Sequence, residues 1–148
     1  MPAARIYKAP TSTELFFGRV LGFLVGIGIC PSYSYLLEVR GRKSGKIQST
    51  PVNLLEVNGR QFLVAPRGRT QWVRNAEAAG EVTLKKRSVR RKFRLRPLQD
   101  SEKPDLLKTY LTRYRVAVQK FFPVAPDSPV EAFAEIAADY PAFELLPN

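Results

Sequence analysis

Asn58-Gly59 is the feature that most restricts how this chain can fold. It separates two runs that read as strands, Pro51 to Val57 and Arg60 to Ala65. A two-residue Asn-Gly connection turns a chain back on itself as a hairpin, because both residues tolerate positive φ. Around this hairpin other β signals gather. Tyr35-Leu36-Leu37-Glu38-Val39 reads as a strand ending at Gly41. Glu81 to Lys86 and Val89 to Leu98 pair as a second hairpin, with Val89, Phe93 and Leu95 on one face and Arg90, Lys92, Arg94 and Arg96 on the other. Phe143 to Leu146 adds a short final strand.

Helices occupy the rest. Thr70 to Ala79 reads as a short helix carrying Trp72, capped by Thr70 and closed by Gly80. From about 102 to 121, Leu107, Tyr110, Leu111, Tyr114, Val118 and Phe121 recur at helical spacing. Ser128-Pro129-Val130-Glu131 joins a capping box to proline at the first helical position. On that helix Asp127, Glu131, Glu135 and Asp139 form a solvated acidic face. Near the start, Thr11 and Glu14 have capping-box spacing and open an apolar helix over 11–30. Every residue from Val20 to Cys30 is apolar or glycine. That is about half the ~20 residues a membrane-spanning helix needs, and neither a basic start nor a small-residue cleavage site marks a signal peptide. Gly18, Gly22 and Gly26 share one face, which suits close packing on the domain or a second copy, or peripheral membrane contact through 15–29. The reading is a single α+β domain over 1–148, a small antiparallel barrel or sheet at 33–98 with helices around it and a helical part at 101–148. The expected place is the cytoplasm, with membrane association through the N-terminal helix as the alternative to its packing on the domain.

The chemistry is bounded by what is missing. The chain has 148 residues, one cysteine and no histidine. His-based triads, the usual zinc and haem ligation and multi-cysteine clusters are excluded, so no metal site is expected. Lys and Arg number 24 against 13 acids, a net charge of +11, so the partner is anionic. The run Lys85, Lys86, Arg87, Arg90, Arg91, Lys92, Arg94, Arg96 suits nucleic-acid phosphates, yet only Phe93 is there to stack on bases, and it falls on the apolar face. Nucleic acid is therefore disfavoured.

Two segments concentrate anion-binding groups. Gly41-Arg42-Lys43-Ser44-Gly45-Lys46 lies between two strands, where glycines allow a tight path and cations and a hydroxyl surround it. It is not a Walker A loop, since Ile47 stands where Ser or Thr must bind magnesium. Taken alone, it also reads as an exposed basic turn. Ala65-Pro66-Arg67-Gly68-Arg69-Thr70 leads from a strand into the Trp72 helix, whose first amides carry the positive end of the helix dipole.

Together these segments resemble the deazaflavin-dependent nitroreductase family. The resemblance rests on Gly41-Arg42-Lys43-Ser44-Gly45, Thr50-Pro51, Trp72-Val73-Arg74-Asn75 and Glu81-Val82-Thr83-Leu84, and covers roughly 33–98. It implies a split β-barrel related to flavin reductases, with an N-terminal helix and C-terminal helices. It implies deazaflavin coenzyme F(420) as cofactor, with FMN as the alternative. The implied ligands are Arg42, Lys43, Ser44, Gly45, Thr50, Pro51, Arg67, Gly68, Trp72 and Asn75. In the family the basic turn holds the phosphate and acidic tail, and the loop before the Trp helix lies along the rings. This chain has Gln48 where many relatives carry Arg, Val73 in place of a common Tyr, and a shorter loop before Trp72. A reduced deazaflavin donates hydride itself, so a chain without His can serve. The implied activity is hydride transfer to a quinone-like, nitroaromatic or activated-alkene acceptor, a lipophilic small molecule. Tyr110 and Tyr114, or Tyr33 and Tyr35, are candidates for the acceptor side. A homodimer is common in the barrel class, and a non-catalytic barrel carrying flavin or fatty acid is the alternative.

Overall fold

The computed structural model describes residues 33–148, and the N-terminal helix expected over 11–30 lies outside them. Six antiparallel strands form the body: β1 (Ser34–Arg40), β2 (Ile47–Val57), β3 (Arg60–Val64), β4 (Glu81–Lys86), β5 (Val89–Pro97) and β6 (Ala142–Pro147). They hydrogen-bond in the order β1-β2-β3-β6-β5-β4 and close into a barrel, with β4 returning to β1 through Leu36↔Lys85 and Glu38↔Thr83. Asn58 (φ 53°) and Gly59 (φ 76°) make the tight turn between β2 and β3.

The barrel interior is filled by alternate residues of the strands: Leu37, Val39, Leu54, Leu63, Val82, Leu84, Phe93 and Leu145. A helix, α1 (Gln71–Ala79), covers one end of it, with Ala76 and half-buried Trp72 on the interior cluster and Val73 against Ala65 and Phe143. Outside the barrel, Leu55, Phe62 and Val64 meet the C-terminal helices α2 (Pro104–Arg113), α3 (Arg115–Val118) and α4 (Val130–Ile136). There Phe122 stacks on Tyr140 with ring centroids 4.4 Å apart.

Several sequence expectations change in the folded chain. The final strand expected at Phe143 to Leu146 forms as β6, but the barrel is not confined to 33–98: β6 pairs with β3 and β5 and supplies the strand that 33–98 lacks. β2 starts at Ile47, so Pro51 lies inside a strand; that half of β2 pairs only with β1, and β3 joins from Leu54 onward. Proline is tolerated where one side of a strand carries no ladder. Val89, expected on the apolar face with Phe93, is 61% exposed because it adjoins the β4–β5 turn at the barrel's end.

The continuous helix expected over 102–121 breaks at Tyr114, whose φ −114° and ψ 29° separate α2 from α3. Its hydroxyl donates to the Leu54 carbonyl at 2.5 Å and its ring packs 4.6 Å from that of Tyr33. These contacts with β2 and the start of β1 compete with helical continuation. α4 begins at Val130 with Pro129 as its cap, while Ser128 Oγ accepts from the Ala125 N–H at 3.0 Å and closes the preceding turn instead. Asp139 leaves the acidic face because α4 ends at Ile136, and the following 3-10 turn buries it.

Glu144 of β6 takes two guanidiniums on the barrel exterior. Arg60 donates to both its oxygens (2.8 and 2.9 Å) and Arg96 to one (3.1 Å). Hydrogen bonds from Arg60 first, then from Arg96, outweigh burial and hold its carboxyl down at about 2. Arg96 also reaches Glu102, whose carboxyl is lowered chiefly by the Gln99 N–H it accepts.

Candidate functional site

The turn between β1 and β2 is fixed by its own backbone. Gly41 N–H donates to the Lys46 carbonyl at 2.8 Å and Gly45 N–H to the Gly41 carbonyl at 2.9 Å. Gly45 has φ 74°, which favours glycine. At Gly41 a Cβ would stand 2.8 Å from Ser44 Oγ and 3.2 Å from Gln48 Nε2, too close for any larger residue without rearrangement. Ser44 Oγ accepts from the Lys46 N–H at 3.1 Å, and Arg40 Nη1 donates to the Gly45 carbonyl at 2.9 Å.

α1 is tied to this turn through one buried amide. Asn75, 3% exposed, accepts at Oδ1 from both the Arg42 backbone N–H (3.0 Å) and Arg42 Nη1 (2.8 Å). Arg42 Nη1 also donates to Gln71 Oε1 at 2.9 Å. Gln71 and Asn75 are four apart on one helix face, a spacing that makes both visible to a single partner. Through Nη1 the Arg42 side chain thereby holds the turn against α1, by bonds to neutral amides that leave its charge uncompensated. Lys43 and Lys46 are exposed, and their ammonium groups have no acidic or hydrogen-bonding partner among the described residues.

The second segment leads from β3 into α1. Gly68 is buried at φ 84°, its N–H donates to Ala65 O at 3.2 Å and its carbonyl accepts from Thr70 N–H at 2.9 Å. Thr70 does not cap α1 with its side chain. Its Oγ1, and Arg69 Nε beside it, are buried without a hydrogen-bond partner. Arg69 pairs instead with Glu77 through its terminal nitrogen. Arg67 turns away to lie over the Phe121 ring, 4.9 Å from its centroid. Trp72 packs against Phe143 with the rings tilted and their centroids 6.0 Å apart.

Of the residues the sequence singles out, the fold joins Arg42 to Asn75 and sets Lys43, Ser44 and Gly45 on the same turn. Thr50 and Pro51 sit farther along β2, opposite Leu37 and Leu36 of β1, about 10 Å from Ile47 at the strand's start. Gln71 escapes the sequence reading, and its i, i+4 relation to Asn75 was the available signal. Gln48, which departs from the Arg of many relatives, stands beside the glycine turn with its Nε2 close to Gly41. Tyr110 and Tyr114 are buried at 2% and 8% exposure, in edge contact with each other at 5.3 Å. Burial pushes both hydroxyls' pKa upward, so they stay protonated. Tyr33 is 38% exposed, and Tyr35 is half-buried with Lys86 Nζ 4.4 Å over its ring.

Chemically the turn offers donors and positive charge, with no carboxylate in contact. No grouping of His, Cys, Asp and Glu suited to a metal occurs among the described residues. No helix among them is long and apolar enough to cross a membrane. Such a set of groups suits a multiply charged anion and offers no acid–base pair among the described residues.

The model of the F(420)H(2)-dependent quinone reductase family matches residues 19–120. Among solved structures, a protein solved as a domain-swapped dimer is 19% identical with a TM-score of 0.54, over 86% of this chain and 91% of that one. A protein of unknown function from Agrobacterium tumefaciens strain C58 is 20% identical with a TM-score of 0.55, covering 98% of this chain and 59% of its own. An F(420)-H2 dependent reductase is 21% identical with a TM-score of 0.50, covering 77% and 94%. At these identities the likeness speaks for the fold, a split barrel. No curated protein matches the chain.

Proposed function

The chain belongs to the F(420)H(2)-dependent quinone reductase family, and from that premise we propose that the β1–β2 turn grips the phosphate and acidic tail of the deazaflavin while a quinone-like molecule accepts the hydride. The family makes the protein an oxidoreductase with coenzyme F(420) as its cofactor, and FMN becomes the secondary choice. A non-catalytic carrier loses its ground, and the barrel interior is already occupied by its own side chains.

One observation carries the reading: Arg42 Nη1 pins the turn to α1 through neutral amides, and Lys43 and Lys46 project from that rigid turn with no counter-charge among the described residues. A donor-only set of that kind fits a phosphate with trailing carboxylates. The exposed Ser44 and the Gly45 backbone belong to the same cradle. The buried, unpartnered Thr70 Oγ1 and Arg69 Nε place further polar groups at the start of α1, where an anionic or carbonyl-bearing ring edge finds a positive helix end. The deazaflavin supplies the hydride when bound. Asn75 serves by holding Arg42 rather than by touching the cofactor. Gly68 gives close backbone approach on the loop before α1, and half-buried Trp72 bounds that side. Arg67, Thr50 and Pro51 border the site from the loop and from β2. Tyr110 and Tyr114 hold α2 to the barrel, and we assign them no part in hydride transfer.

The acceptor is proposed as quinone-like, ahead of nitroaromatics and activated alkenes, on the family's own description. A lipophilic acceptor accords with peripheral membrane contact through 15–29. A homodimer is proposed on the likeness to the protein solved as a domain-swapped dimer. The test is fluorescence titration with oxidised F(420) and, in parallel, FMN, followed by reduction of a soluble quinone with the reduced deazaflavin. Tight binding of the deazaflavin alone and quinone-dependent oxidation support the reading. Preference for FMN, or binding of neither, overturns it.

A further inference from the structure

We propose that Gln71 is a positioning residue: together with Asn75 it aims the free edge of the Arg42 guanidinium at a phosphate. The proposal rests on the reading that the β1–β2 turn takes the phosphate of the deazaflavin. It adds how one cation of that turn is presented and which residue on α1 sets it.

Arg42 uses only one of its three guanidinium nitrogens on the protein. Nη1 donates to Gln71 Oε1 at 2.9 Å and to Asn75 Oδ1 at 2.8 Å. Nη1 carries two hydrogens, so these two bonds saturate it. Nη1 is also the terminal nitrogen on the Cδ side of the group. The edge left over is therefore Nε–H beside one Nη2–H, two parallel donors that match two oxygens of a phosphate. That edge lies across the plane from Nη1, so it points away from Gln71 and Asn75. Neither Nε nor Nη2 donates to a described residue, and Arg42 is exposed, which leaves the edge open to a ligand.

The acceptors supply the second observation. Arg60, Arg69, Arg90 and Arg96 are each fixed by carboxylates, from Glu144, Glu77, Glu38 and the pair Glu144 and Glu102. Arg42 is fixed by two neutral amides. An amide oxygen orients a guanidinium without cancelling its charge, whereas a carboxylate does both. The oxygen side of the Asn75 amide is set independently, because the Arg42 backbone N–H donates to the same Oδ1 at 3.0 Å. Gln71 is exposed at the first position of α1. A glutamate there would complement the positive helix end and pair with Arg42, so for a latch alone it is the stronger choice. A neutral residue is what a site that needs the charge of Arg42 requires. Lys43 and Lys46 act as point charges on the same turn, and Arg42 adds direction.

The experiment compares Gln71→Glu, Gln71→Met and Ala78→Glu with wild type in the full chain. It combines fluorescence titration of oxidised F(420) with thermal unfolding in chloride and in inorganic phosphate at equal ionic strength. Gln71→Glu keeps the bond to Arg42 and neutralises it, so deazaflavin binding weakens ~10-fold while the unfolding midpoint in chloride holds or rises. Gln71→Met removes one acceptor and leaves the charge and Asn75, and weakens binding ~3-fold. Ala78→Glu puts the same new charge at an exposed position roughly 10 Å farther along α1 and changes affinity less than ~2-fold. A deazaflavin lacking the phosphate binds wild type and Gln71→Glu alike. Inorganic phosphate raises the midpoint of wild type and not that of Gln71→Glu. A wild type that responds to phosphate yet binds no deazaflavin contradicts the cofactor reading alone and supports the aimed edge. Unchanged affinity and phosphate response in Gln71→Glu overturn the proposal, as does an equal loss in Ala78→Glu. A loss that persists with the phosphate-free deazaflavin, or a wild type indifferent to both phosphate and deazaflavin, overturns it as well.

Discussion

The barrel carries two basic turns, one at each end of β1, and they use their cations differently. At Gly41–Lys46 the backbone closes on itself, Asn75 and Gln71 immobilise Arg42, and Lys43 and Lys46 are left facing solvent from a fixed frame. On the β4–β5 hairpin Arg90 and Lys92 are drawn to acids, Lys86 and Arg91 lie over aromatic rings, and Val89 interrupts the charge at the tip. The hairpin holds more charge; the first turn holds better-ordered donors. A small anion needs donors already in place, because ordering flexible side chains costs binding energy, whereas a broad charged surface needs only density of charge. Counting cations would have selected the hairpin as the ligand site. The hydrogen bonds select the turn.

The sharpest way to break this contrast is to remove the frame. Asn75→Leu leaves the Arg42 N–H and guanidinium without their buried acceptor, and is expected to cost about 2–3 kcal/mol of stability. Denaturant unfolding measures it, and deazaflavin affinity should fall as well. Removing the free cations comes next. Lys43→Ala with Lys46→Ala should weaken deazaflavin binding ~10-fold, about 1.4 kcal/mol, while leaving the unfolding midpoint in place.

A third set of cations, Arg60 and Arg96, marks the extreme of charge committed to structure. Their Glu144 carboxyl titrates at about 2 when folded, below its ordinary 4.5. A depressed carboxylate adds stability that is fully present above the ordinary value and is lost as pH falls from there toward 2. Glu144→Gln should therefore cost ~1 kcal/mol near pH 7, with the gap to wild type closing on acidification through that window. Stability curves of both proteins against pH would show it. The smallest effect belongs to the hairpin: Lys85→Gln should change stability by less than ~0.5 kcal/mol and leave deazaflavin affinity alone.

Much of the barrel could be read in the chain because its signals are local. Asn58-Gly59, the alternation of Leu37 and Val39, and the break at 87–88 each depend on neighbours in sequence. Three features were hidden because they depend on distant partners. The final strand was legible at Phe143 to Leu146, but not its place between β3 and β5, far earlier in the chain, where it completes the barrel. The break at Tyr114 arises from a hydroxyl reaching Leu54, and nothing in the helical spacing of Leu107 to Phe121 forecasts it. In the site, the glycine–cation motif was legible, while the division of labour within it was not. Arg42 and Asn75 look like equal candidates in sequence; only the structure shows Asn75 accepting from Arg42 and so tying the turn to α1.

The central claim is that ordered, uncommitted cations on the β1–β2 turn, rather than total positive charge, bind the cofactor. Side-by-side fluorescence titrations of oxidised deazaflavin against wild type, Lys43→Ala/Lys46→Ala and Lys85→Gln/Arg87→Gln test it most directly. Each pair removes two positive charges. The account predicts a loss of ~10-fold in the first pair and none in the second. Equal losses in both pairs, or a loss confined to the hairpin pair, would contradict it.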